Sequence, residues 1–192
     1  MERNNLYPVF LKVSQLSVLI VGGGKVALEK LSFLLKSSPN AQVTMVSIKF
    51  NEELIALAKS HQVLLVHNTA YSYTILKDQH LVIAATNNFK VNNQVYNDAK
   101  ERHLLINVAD TPGLCDFFLG GIVTKGNIKI AISTNGKSPT MAKRLRQFLE
   151  DVIPEEIDDL AQNLNQFRNT IKGDFAVKVK KLNKLTEGLL TE

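Results

Sequence analysis

The sequence predicts an α/β fold in which a parallel sheet comes first and a strand pair with several helices follows. Three observations support this prediction. Short runs of branched apolar residues alternate with segments of helical periodicity, a glycine-rich segment joins the first run to the first helix, and the alternation stops near residue 113. Such alternation is typical of parallel strands joined by right-handed crossovers. A chain of 192 residues is long enough for one domain with a smaller addition.

Five strands and three helices are predicted before residue 113. The strands are rich in Val, Ile and Leu, and the helices repeat apolar residues every three or four positions. Asn51 is predicted to cap the second helix, where Glu52 and Glu53 suit the positive end of the helix dipole. The predicted strands are 16–21, 42–47, 63–66, 80–85 and 104–108, and the predicted helices are 25–36, 51–60 and 88–102.

After residue 113 the pattern changes to two strands and three helices. The strands flank a turn at Gly126, and Ser138 with Pro139 is typical of a helix start. Gly173 separates the last two helices. The predicted strands are 117–124 and 127–134, and the predicted helices run from Pro139 to about Pro154, over 155–171 and over 175–190.

Composition limits the classes of function. A hydrophobic share of 45% excludes a disordered chain, and no apolar run reaches the roughly 18 residues that span a bilayer. Residues 1–8 lack the apolar centre of a signal peptide. Cys115 is the single cysteine and no Cys/His spacing is typical of zinc, so no disulfide and no metal site are predicted. We therefore expect a cytoplasmic protein without a membrane segment.

The net charge of +5 leaves nucleic acid, a membrane surface or a small anion to be distinguished. Four bases and no acid occupy 137–146, six acids and no base occupy 150–159, and six bases with one acid occupy 168–184. A nucleic-acid site usually adds exposed aromatic residues, but Trp is absent and every Tyr precedes residue 97. The sequence therefore disfavours nucleic acid as a partner.

Gly22, Gly24 and Ala27 fit the pattern G-x-G-x-x-G/A at the first strand–helix junction. In this motif the first glycine permits a tight turn, the second lets the backbone approach a pyrophosphate, and the third small residue packs the helix on the strand. The free N–H groups of the helix then face the phosphates. The loop predicts a Rossmann-type dinucleotide site, and a glycine-rich turn without a ligand is the alternative.

Two other strand ends are candidates for coenzyme contacts. The second strand ends without the acid that usually binds the ribose 2′-OH, although Ser47 could bond a ribose hydroxyl and Lys49 could tolerate a 2′-phosphate. The residues alone therefore leave NAD and NADP open. Thr86 and Asn87 follow the fourth strand, where ligands of open α/β sheets bind, and an ordinary helix start capped by Asn88 is the less favoured alternative.

Asp110 follows the fifth strand on the same predicted edge. A carboxylate beside a hydride-transfer centre can act as a general base if burial brings its pKa into range. A capping Asp before Thr111 and Pro112 is the alternative, and position alone does not separate the two. Cys115, close to two phenylalanines, is interpreted as a packed thiol rather than a nucleophile.

Seven stretches of the chain form a pattern in order: Tyr7-Pro-Val-Phe10, Val21-Gly-Gly-Gly-Lys-Val-Ala27, Val82-Ile-Ala-Ala-Thr-Asn87, Asn107-Val-Ala-Asp110, Leu114-Cys-Asp-Phe117, Ile132-Ser-Thr-Asn-Gly-Lys-Ser-Pro139 and Ala142-Lys-Arg-Leu-Arg146. In combination, these motifs resemble the precorrin-2 dehydrogenase family, the dehydrogenase and ferrochelatase module of siroheme synthase. The resemblance covers nearly the whole chain through residue 150. Asn135 and Lys143 stand where Gly and Arg are common in the family, but Asn tolerates a left-handed backbone and Lys keeps the charge.

The resemblance implies NAD-dependent oxidation of precorrin-2 to sirohydrochlorin in siroheme biosynthesis, by a homodimer with NAD as cofactor. It places Asp110 on the family's essential aspartate and favours the catalytic interpretation of that residue. It also implies three parts: an NAD-binding domain 1–113, a dimerisation and substrate-site region 114–146, and a helical region 147–192. The expected cofactor-binding residues are Gly22, Gly23, Gly24, Lys25, Val26, Ser47, Ile48, Lys49, Thr86 and Asn87, and the expected substrate-binding residues are Thr134, Lys137, Ser138, Arg144 and Arg146.

Two alternative functions remain at this stage. The chain could also insert Fe2+ into sirohydrochlorin, with Asp110 removing pyrrole protons. It could instead be a non-enzymatic dinucleotide-sensing domain, which predicts an acid after the second strand and a separate output module. Ser47 in place of that acid argues against the sensing alternative.

Overall fold

The computed structural model describes residues 4–189. Within them the chain forms two compact units. The first unit runs to Leu119 and includes Ser133–Ser138, and the second comprises Gly120–Ile132 and the chain from Pro139 onward. Each unit is described separately below.

The first unit contains a five-stranded parallel sheet of order β3-β2-β1-β4-β5 with helices in the crossovers, as the alternation predicts. Two short 3₁₀ helices, Tyr73–Leu76 and Pro112–Leu114, were not predicted. The strands are β1 Ser17–Val21, β2 Gln42–Val46, β3 Leu64–Val66, β4 Leu81–Ala84 and β5 Leu105–Val108, and the helices are α1 Lys25–Ser37, α2 Glu52–Ser60 and α3 Phe89–Glu101.

Both faces of this sheet are buried, which explains why its strands are continuous apolar runs rather than alternating ones. Leu31 and Leu35 of α1 pack on one face with Ile20 and Met45. Val95 and Ala99 of α3 pack on the other face among residues that include Leu19, Val82 and Ile106. The sheet is therefore a rigid support for the loops at its edges.

Side-chain caps fix where α2 and α3 begin. Asn51 accepts a hydrogen bond from the Glu53 N–H at 2.8 Å, which confirms the predicted cap of α2. Asn88 accepts from the N–H groups of Lys90 and Val91 at 3.0 and 3.3 Å. Both helices consequently start directly after loops that follow a strand.

The second unit contains an antiparallel pair, β6 Gly121–Lys125 and β7 Ile128–Ile132, and three helices. The turn between the strands is bound by a residue far along the chain, because the Asp158 carboxylate accepts from the Asn127 N–H at 2.7 Å and from its side-chain amide at 2.8 Å. Lys125 pairs with Glu155 beside it. The helices are α4 Pro139–Val152, α5 Ile157–Thr170 and α6 Phe175–Leu185.

Several predicted boundaries are wrong by a few residues. The strand predicted over 117–124 begins only at Gly121, and its predicted first residue, Phe117, instead accepts a hydrogen bond at its carbonyl from the Asn107 side chain of β5. The helix predicted over 175–190 ends at Leu185 and a 3₁₀ turn Glu187–Leu189 follows, while residue 190 lies outside the described residues. Within residues 4–189, no helix combines the length and the apolar character needed to cross a membrane.

Candidate functional site

The carboxyl ends of the five parallel strands lie side by side. The pairing register aligns Val66, Val46, Val21, Ala84 and Val108 in one row across the sheet. The residues that follow this row include the glycine loop after β1, Ser47 to Lys49 after β2, Thr86 and Asn87 after β4, and Asp110 after β5. Sequence analysis placed them at one edge, and the register brings them together there.

Gly22 makes the turn out of β1. Its φ is +134°, which L side chains rarely adopt, and its N–H donates to the Val46 carbonyl at 3.0 Å. A β-carbon at this position would collide with the backbone of Ala85, lying 2.8 Å from its carbonyl carbon. Gly22 therefore serves both the turn and a close approach between β1 and the end of β4.

Gly23 is buried against the loop that follows β2. Its carbonyl accepts from the Asn51 N–H at 2.8 Å. A β-carbon here would overlap the Lys49 carbonyl oxygen and lie 2.7 Å from the Ser47 hydroxyl oxygen. The motif assigns no packing role to this middle position, so sequence analysis missed the reason for a glycine there.

Gly24 has open space where its neighbours do not. No heavy atom would lie within 4 Å of a β-carbon built on it. Gly24 is the N-cap of α1, whose first turn carries no acidic side chain, and Lys25 beside it is exposed. Ala27 is fully buried against the sheet, as the motif requires. The helix N-terminus, its unfilled space and the lack of negative charge fit a pyrophosphate.

Ser47 holds the loop that follows β2. Its hydroxyl donates to the Lys49 carbonyl at 2.8 Å and lies 3.3 Å from the Lys49 N–H. The side chains of Ile48 and Lys49 are exposed beyond it. Ser47 thus has a local structural role in addition to the ribose contact considered for it.

Thr86 belongs to a small network with a residue that sequence analysis did not single out. Its hydroxyl lies 2.6 Å from the Asn92 side-chain oxygen, and the Asn92 amide donates to the Thr86 carbonyl at 3.0 Å. Asn92 is buried. In the sequence, the signal for its role was a polar residue on the apolar face of a predicted helix, since such a residue needs a hydrogen-bond partner. Asn87 is exposed between Thr86 and the capping residue Asn88.

Asp110 lies in a turn closed by a hydrogen bond from the Thr111 N–H to the Val108 carbonyl at 3.2 Å. Its φ is +58°, in the left-handed region that non-glycine residues seldom occupy. The side chain is exposed rather than buried, and within residues 4–189 no group donates a hydrogen bond to its carboxylate. Capping, the structural alternative for Asp110, is therefore not the role of this carboxylate in the structure.

The Cys115 thiol lies against the backbone of β5, 3.3 Å from both the N–H nitrogen and the carbonyl oxygen of Val108. Burial raises the pKa of this thiol, which keeps it protonated near neutral pH. The geometry agrees with the packed-thiol interpretation. Among the described residues, no cluster of three or more His, Cys, Asp or Glu side chains could hold a metal ion.

The residues expected to bind substrate divide between the two units. Thr134, Lys137 and Ser138 lie in the Ser133–Ser138 loop of the first unit, where the Lys137 N–H donates to the Thr134 carbonyl at 3.0 Å. Asn135 in this turn has φ +54°, a left-handed conformation that Asn tolerates. Separately, Arg144 and Arg146 lie on α4 of the second unit.

The two arginines of α4 also bind neighbours on their own helix. A guanidinium nitrogen of Arg144 donates to the Gln147 side-chain oxygen at 3.1 Å, and Arg146 forms an i,i+4 ion pair with Glu150. Arg146 is therefore already partly neutralised, and Arg144 remains the more exposed of the two cations.

Two family models match the chain. The model described as "Putative NAD(P)-binding" matches residues 9–121, and the model described as "Sirohaem biosynthesis protein central" matches residues 125–151. The first covers the parallel sheet with its glycine loop and Asp110, and the second covers β7 and most of α4.

Curated relatives and a solved structure agree with these models. The chain is 43% identical over 168 residues to a siroheme synthase of Pseudoalteromonas translucida (strain TAC 125), covering 88% of this chain and 35% of the relative. It is 39% identical over 170 residues to a siroheme synthase of Psychrobacter arcticus, covering 88% of this chain and 30% of the relative. A structure titled SirC, precorrin-2 dehydrogenase, matches with TM-score 0.72 and 24% identity, covering 94% of this chain and 89% of that one.

These matches differ in what they show. The solved structure shows the shared fold, and the chain spans about a third of the length of the curated relatives it matches. The first family model covers more than half of the chain and includes the glycine loop, and the resemblance found from the motifs is confirmed. The chain belongs to the family described as "Putative NAD(P)-binding".

Proposed function

We propose that the protein catalyses the NAD-dependent dehydrogenation of precorrin-2 to sirohydrochlorin, with Asp110 as the general base. In this reaction one hydrogen leaves the macrocycle as a hydride, and a second leaves as a proton. The observation that carries the proposal is the Asp110 carboxylate itself. It is exposed at the carboxyl edge of the sheet that also holds the glycine loop, and no described residue donates a hydrogen bond to it.

The spacing of the strands supports a shared site for coenzyme and base. Val21, before the glycine loop, and Val108, before the Asp110 turn, are separated by one strand, because Ala84 pairs with both. With about 4.8 Å between neighbouring strands, the two loops start roughly 10 Å apart. An extended dinucleotide with its pyrophosphate at Gly24 would be long enough to reach the end of β5.

We assign the pyrophosphate to the N–H groups at Gly24, Lys25 and Val26, where the helix N-terminus faces open space. Gly22 and Gly23 contribute by shaping this loop. Ile48, Lys49 and Ser47 are proposed to flank the adenosine ribose, and Thr86 with Asn87 to line the path along the end of β4. When bound, NAD+ supplies the hydride acceptor.

Asp110 would take up the proton at its carboxylate oxygens. An exposed carboxylate in a strained turn is available to a ligand, and a macrocycle seated over it would exclude water from it. We further propose that Lys137, Arg144 and Arg146, with Thr134 and Ser138, bind the carboxylates of this polyanionic substrate. Arg144 is a stronger candidate than Arg146, because Glu150 already pairs with Arg146.

NAD is proposed as the coenzyme in preference to NADP on the basis of the family resemblance. The family model supports a nicotinamide dinucleotide without separating the two. Following NADH or NADPH absorbance with precorrin-2 and each oxidised coenzyme tests this choice. Faster turnover with NADP+ at equal concentration would overturn it.

A homodimer is supported by an apolar stripe on α4. Leu145, Phe148 and Val152 recur at helical spacing and are all exposed, with Phe148 and Val152 each 59% accessible. We propose that a second copy of the chain covers this stripe. Phe148→Glu should then convert a dimer into a monomer in light scattering, and a wild-type monomer would refute the assembly.

The central test compares wild type with Asp110→Asn, which keeps the shape of the side chain and tolerates its backbone conformation. We expect NADH production from precorrin-2 to fall by at least about 100-fold, while the calorimetric Kd for NAD+ stays within about twofold. Normal turnover in the variant would exclude Asp110 as the base. The three-part division of the chain and the cytoplasmic location stay predictions. The comparisons favour neither the chelatase nor the sensing alternative.

A further inference from the structure

The outer edge of β5 is occupied by side-chain and backbone groups of the segment that follows the Asp110 turn. β5 ends the sheet, so the N–H and C=O groups of Ile106 and Val108 point away from β4. The Asp116 N–H donates to the Ile106 carbonyl at 2.8 Å, and the Asp116 carboxylate accepts from the Ile106 N–H at 3.1 Å. At Val108, the Cys115 sulfur contacts both outward groups, the N–H and the carbonyl.

The Cys115 sulfur lies beneath the turn that carries Asp110. It accepts from the Val108 N–H, and its hydrogen can go to the Val108 carbonyl at 3.3 Å or to the Thr111 carbonyl at 3.4 Å. Val108 begins this turn and Thr111 follows Asp110 directly. One side chain therefore contacts the backbone on both sides of the proposed base.

Asn107 supports the sulfur from within the sheet. This residue is buried, and its amide donates to the Phe117 carbonyl at 2.8 Å and approaches the Cys115 sulfur at 3.5 Å. The Phe117 contact fixes the chain after Cys115, so the thiol is held from both directions. Both ends of the loop 109–114 are consequently attached to β5.

Asp110 has a backbone conformation that needs such support. A φ of +58° is disfavoured for residues other than glycine, although Asp tolerates it better than most. Its carboxylate accepts no hydrogen bond from any described residue, so its direction depends on the backbone of the turn. A small backbone rotation would move the carboxylate relative to a bound substrate.

We propose that Cys115 is a positioning residue for Asp110, holding the left-handed turn so that the carboxylate points to the reacting atoms. This inference rests on the proposed function of Asp110. Burial keeps the thiol protonated, which suits a group that both donates and accepts rather than a nucleophile. The inference gives a physical role to Leu114-Cys115-Asp116-Phe117, a motif otherwise without one.

The test uses Cys115→Ser, which keeps a donor and an acceptor, and Cys115→Ala, which keeps neither. Cys115→Val removes the hydrogen bonds while retaining bulk, and it replaces the alanine variant if that variant does not fold. Gly113→Ala is the matched control in the same loop, because a β-carbon there meets no heavy atom within 4 Å. The measurements are kcat for NADH production, Kd for NAD+, the melting temperature, and hydrogen–deuterium exchange of residues 107–117.

We expect Cys115→Ala to lower kcat by at least about tenfold and to speed exchange in the loop, because a misplaced catalytic group loses rate steeply. The Kd for NAD+ should stay within about twofold, and Cys115→Ser should recover most of kcat and slow exchange. Wild-type kcat in the alanine variant would overturn the inference. So would a loss of NAD+ affinity and thermal stability as large as the loss of kcat, since that would indicate general unfolding.

The exchange measurement separates this inference from the function on which it rests. A wild-type protein that does not oxidise precorrin-2 would refute the proposed function and with it the catalytic part of the inference. Slow loop exchange in wild type and fast exchange in Cys115→Ala would then still show that Cys115 holds the Asp110 turn in place. Equal exchange in both proteins, together with normal wild-type turnover, would refute the role of Cys115 in holding the turn and leave the proposed function intact.

Discussion

The backbone of Gly23 packs so closely on the carbonyl of Lys49 that any side chain at position 23 would overlap that oxygen. The loop after β2 is therefore shaped by the glycine loop after β1. This contact also explains why three consecutive glycines occur although the phosphate-binding pattern requires only two.

Substitutions of neighbouring glycines should separate folding from coenzyme binding. Gly23→Ala should lower the free energy of unfolding by about 1–3 kcal/mol, because a methyl group forced into close packing displaces the Lys49 loop. Gly24→Ala should leave stability within about 0.5 kcal/mol, because its surroundings are open and its φ of −93° suits alanine. Denaturant unfolding of both variants measures the difference.

Gly24→Ala should change the binding of NAD+ rather than the stability of the fold. If Gly24 faces the pyrophosphate, its alanine variant should bind NAD+ at least about tenfold more weakly in calorimetry while remaining fully folded. Gly188→Ala is a suitable control, since it is also open and lies in the 3₁₀ turn after α6. Unchanged affinity in Gly24→Ala would argue against a pyrophosphate at this position.

Substitutions of Asp110 should reveal the strain of its backbone conformation in stability measurements, which do not depend on its proposed role as a base. The free energy of unfolding of Asp110→Gly should stay within about 1 kcal/mol of the wild-type value. Glycine adopts a φ of +58° without strain, and this gain offsets the extra entropy of the unfolded chain. Asp110→Val should lose about 1–2 kcal/mol, since a β-branched residue tolerates this region poorly. Equal thermal stability of the two variants would contradict the strained turn.

Tyr71 should contribute to stability through a buried carboxylate. Its hydroxyl donates to Asp98 at 2.9 Å, and burial together with that carboxylate raises the pKa of Tyr71 so that it stays protonated. Tyr71→Phe removes one hydrogen-bond donor from the buried Asp98 carboxylate, which keeps the donor of Gln94. The variant should lower the free energy of unfolding by about 1–3 kcal/mol.

Tyr73→Phe is the matched control for Tyr71→Phe. Its hydroxyl makes only a 3.4 Å contact with exposed Glu101, and the ring would still stack with Arg102. We expect its effect to stay within about 0.5 kcal/mol. Chemical denaturation that ranks the two variants in the reverse order would refute the assignment.

The second unit should lose stability in acid through Asp158. Hydrogen bonds from the Asn127 backbone and side chain lower the pKa of this carboxyl below its ordinary value of about 3.9. A group with a depressed folded-state pKa stabilises the fold above its unfolded pKa, and that contribution is lost as the pH falls through the folded pKa. The loss should therefore occur below about pH 4.

Thermal melts between about pH 7 and pH 3 measure this contribution. Asp158→Asn should reduce the fall in melting temperature because position 158 no longer titrates. Asp159→Asn, a change to the adjacent acid outside the turn contact, is the control and should keep the wild-type profile. An identical acid response in wild type and Asp158→Asn would show that the turn does not depend on this charge.

The features that sequence analysis predicted well depend on local signals. The turn at Gly22, the cap at Asn51 and the buried strands follow from residue types within a few positions of one another. Asp110 could be named as a candidate because it follows a strand, but its left-handed φ has no local signature.

The features that were missed join residues distant in sequence. Asp158 binds the turn at Asn127, which lies 31 positions earlier in the chain. Gly23 packs on Lys49, which lies in the loop that follows β2. Periodicity reports which face of an element is buried, but it does not report which partner a polar group finds. The acidic run 150–159 therefore remained unexplained until the contacts of Glu155 and Asp158 were known.

The edge of β5 has a consequence for how the protein behaves at high concentration. An uncovered edge strand is a template to which another chain can add a strand, and this is a common start of aggregation. Here Asp116 and Cys115 already satisfy the outward N–H and C=O groups of Ile106 and Val108. The same short segment that holds the turn at Asp110 thus also protects this side of the sheet from strand addition by a neighbouring chain.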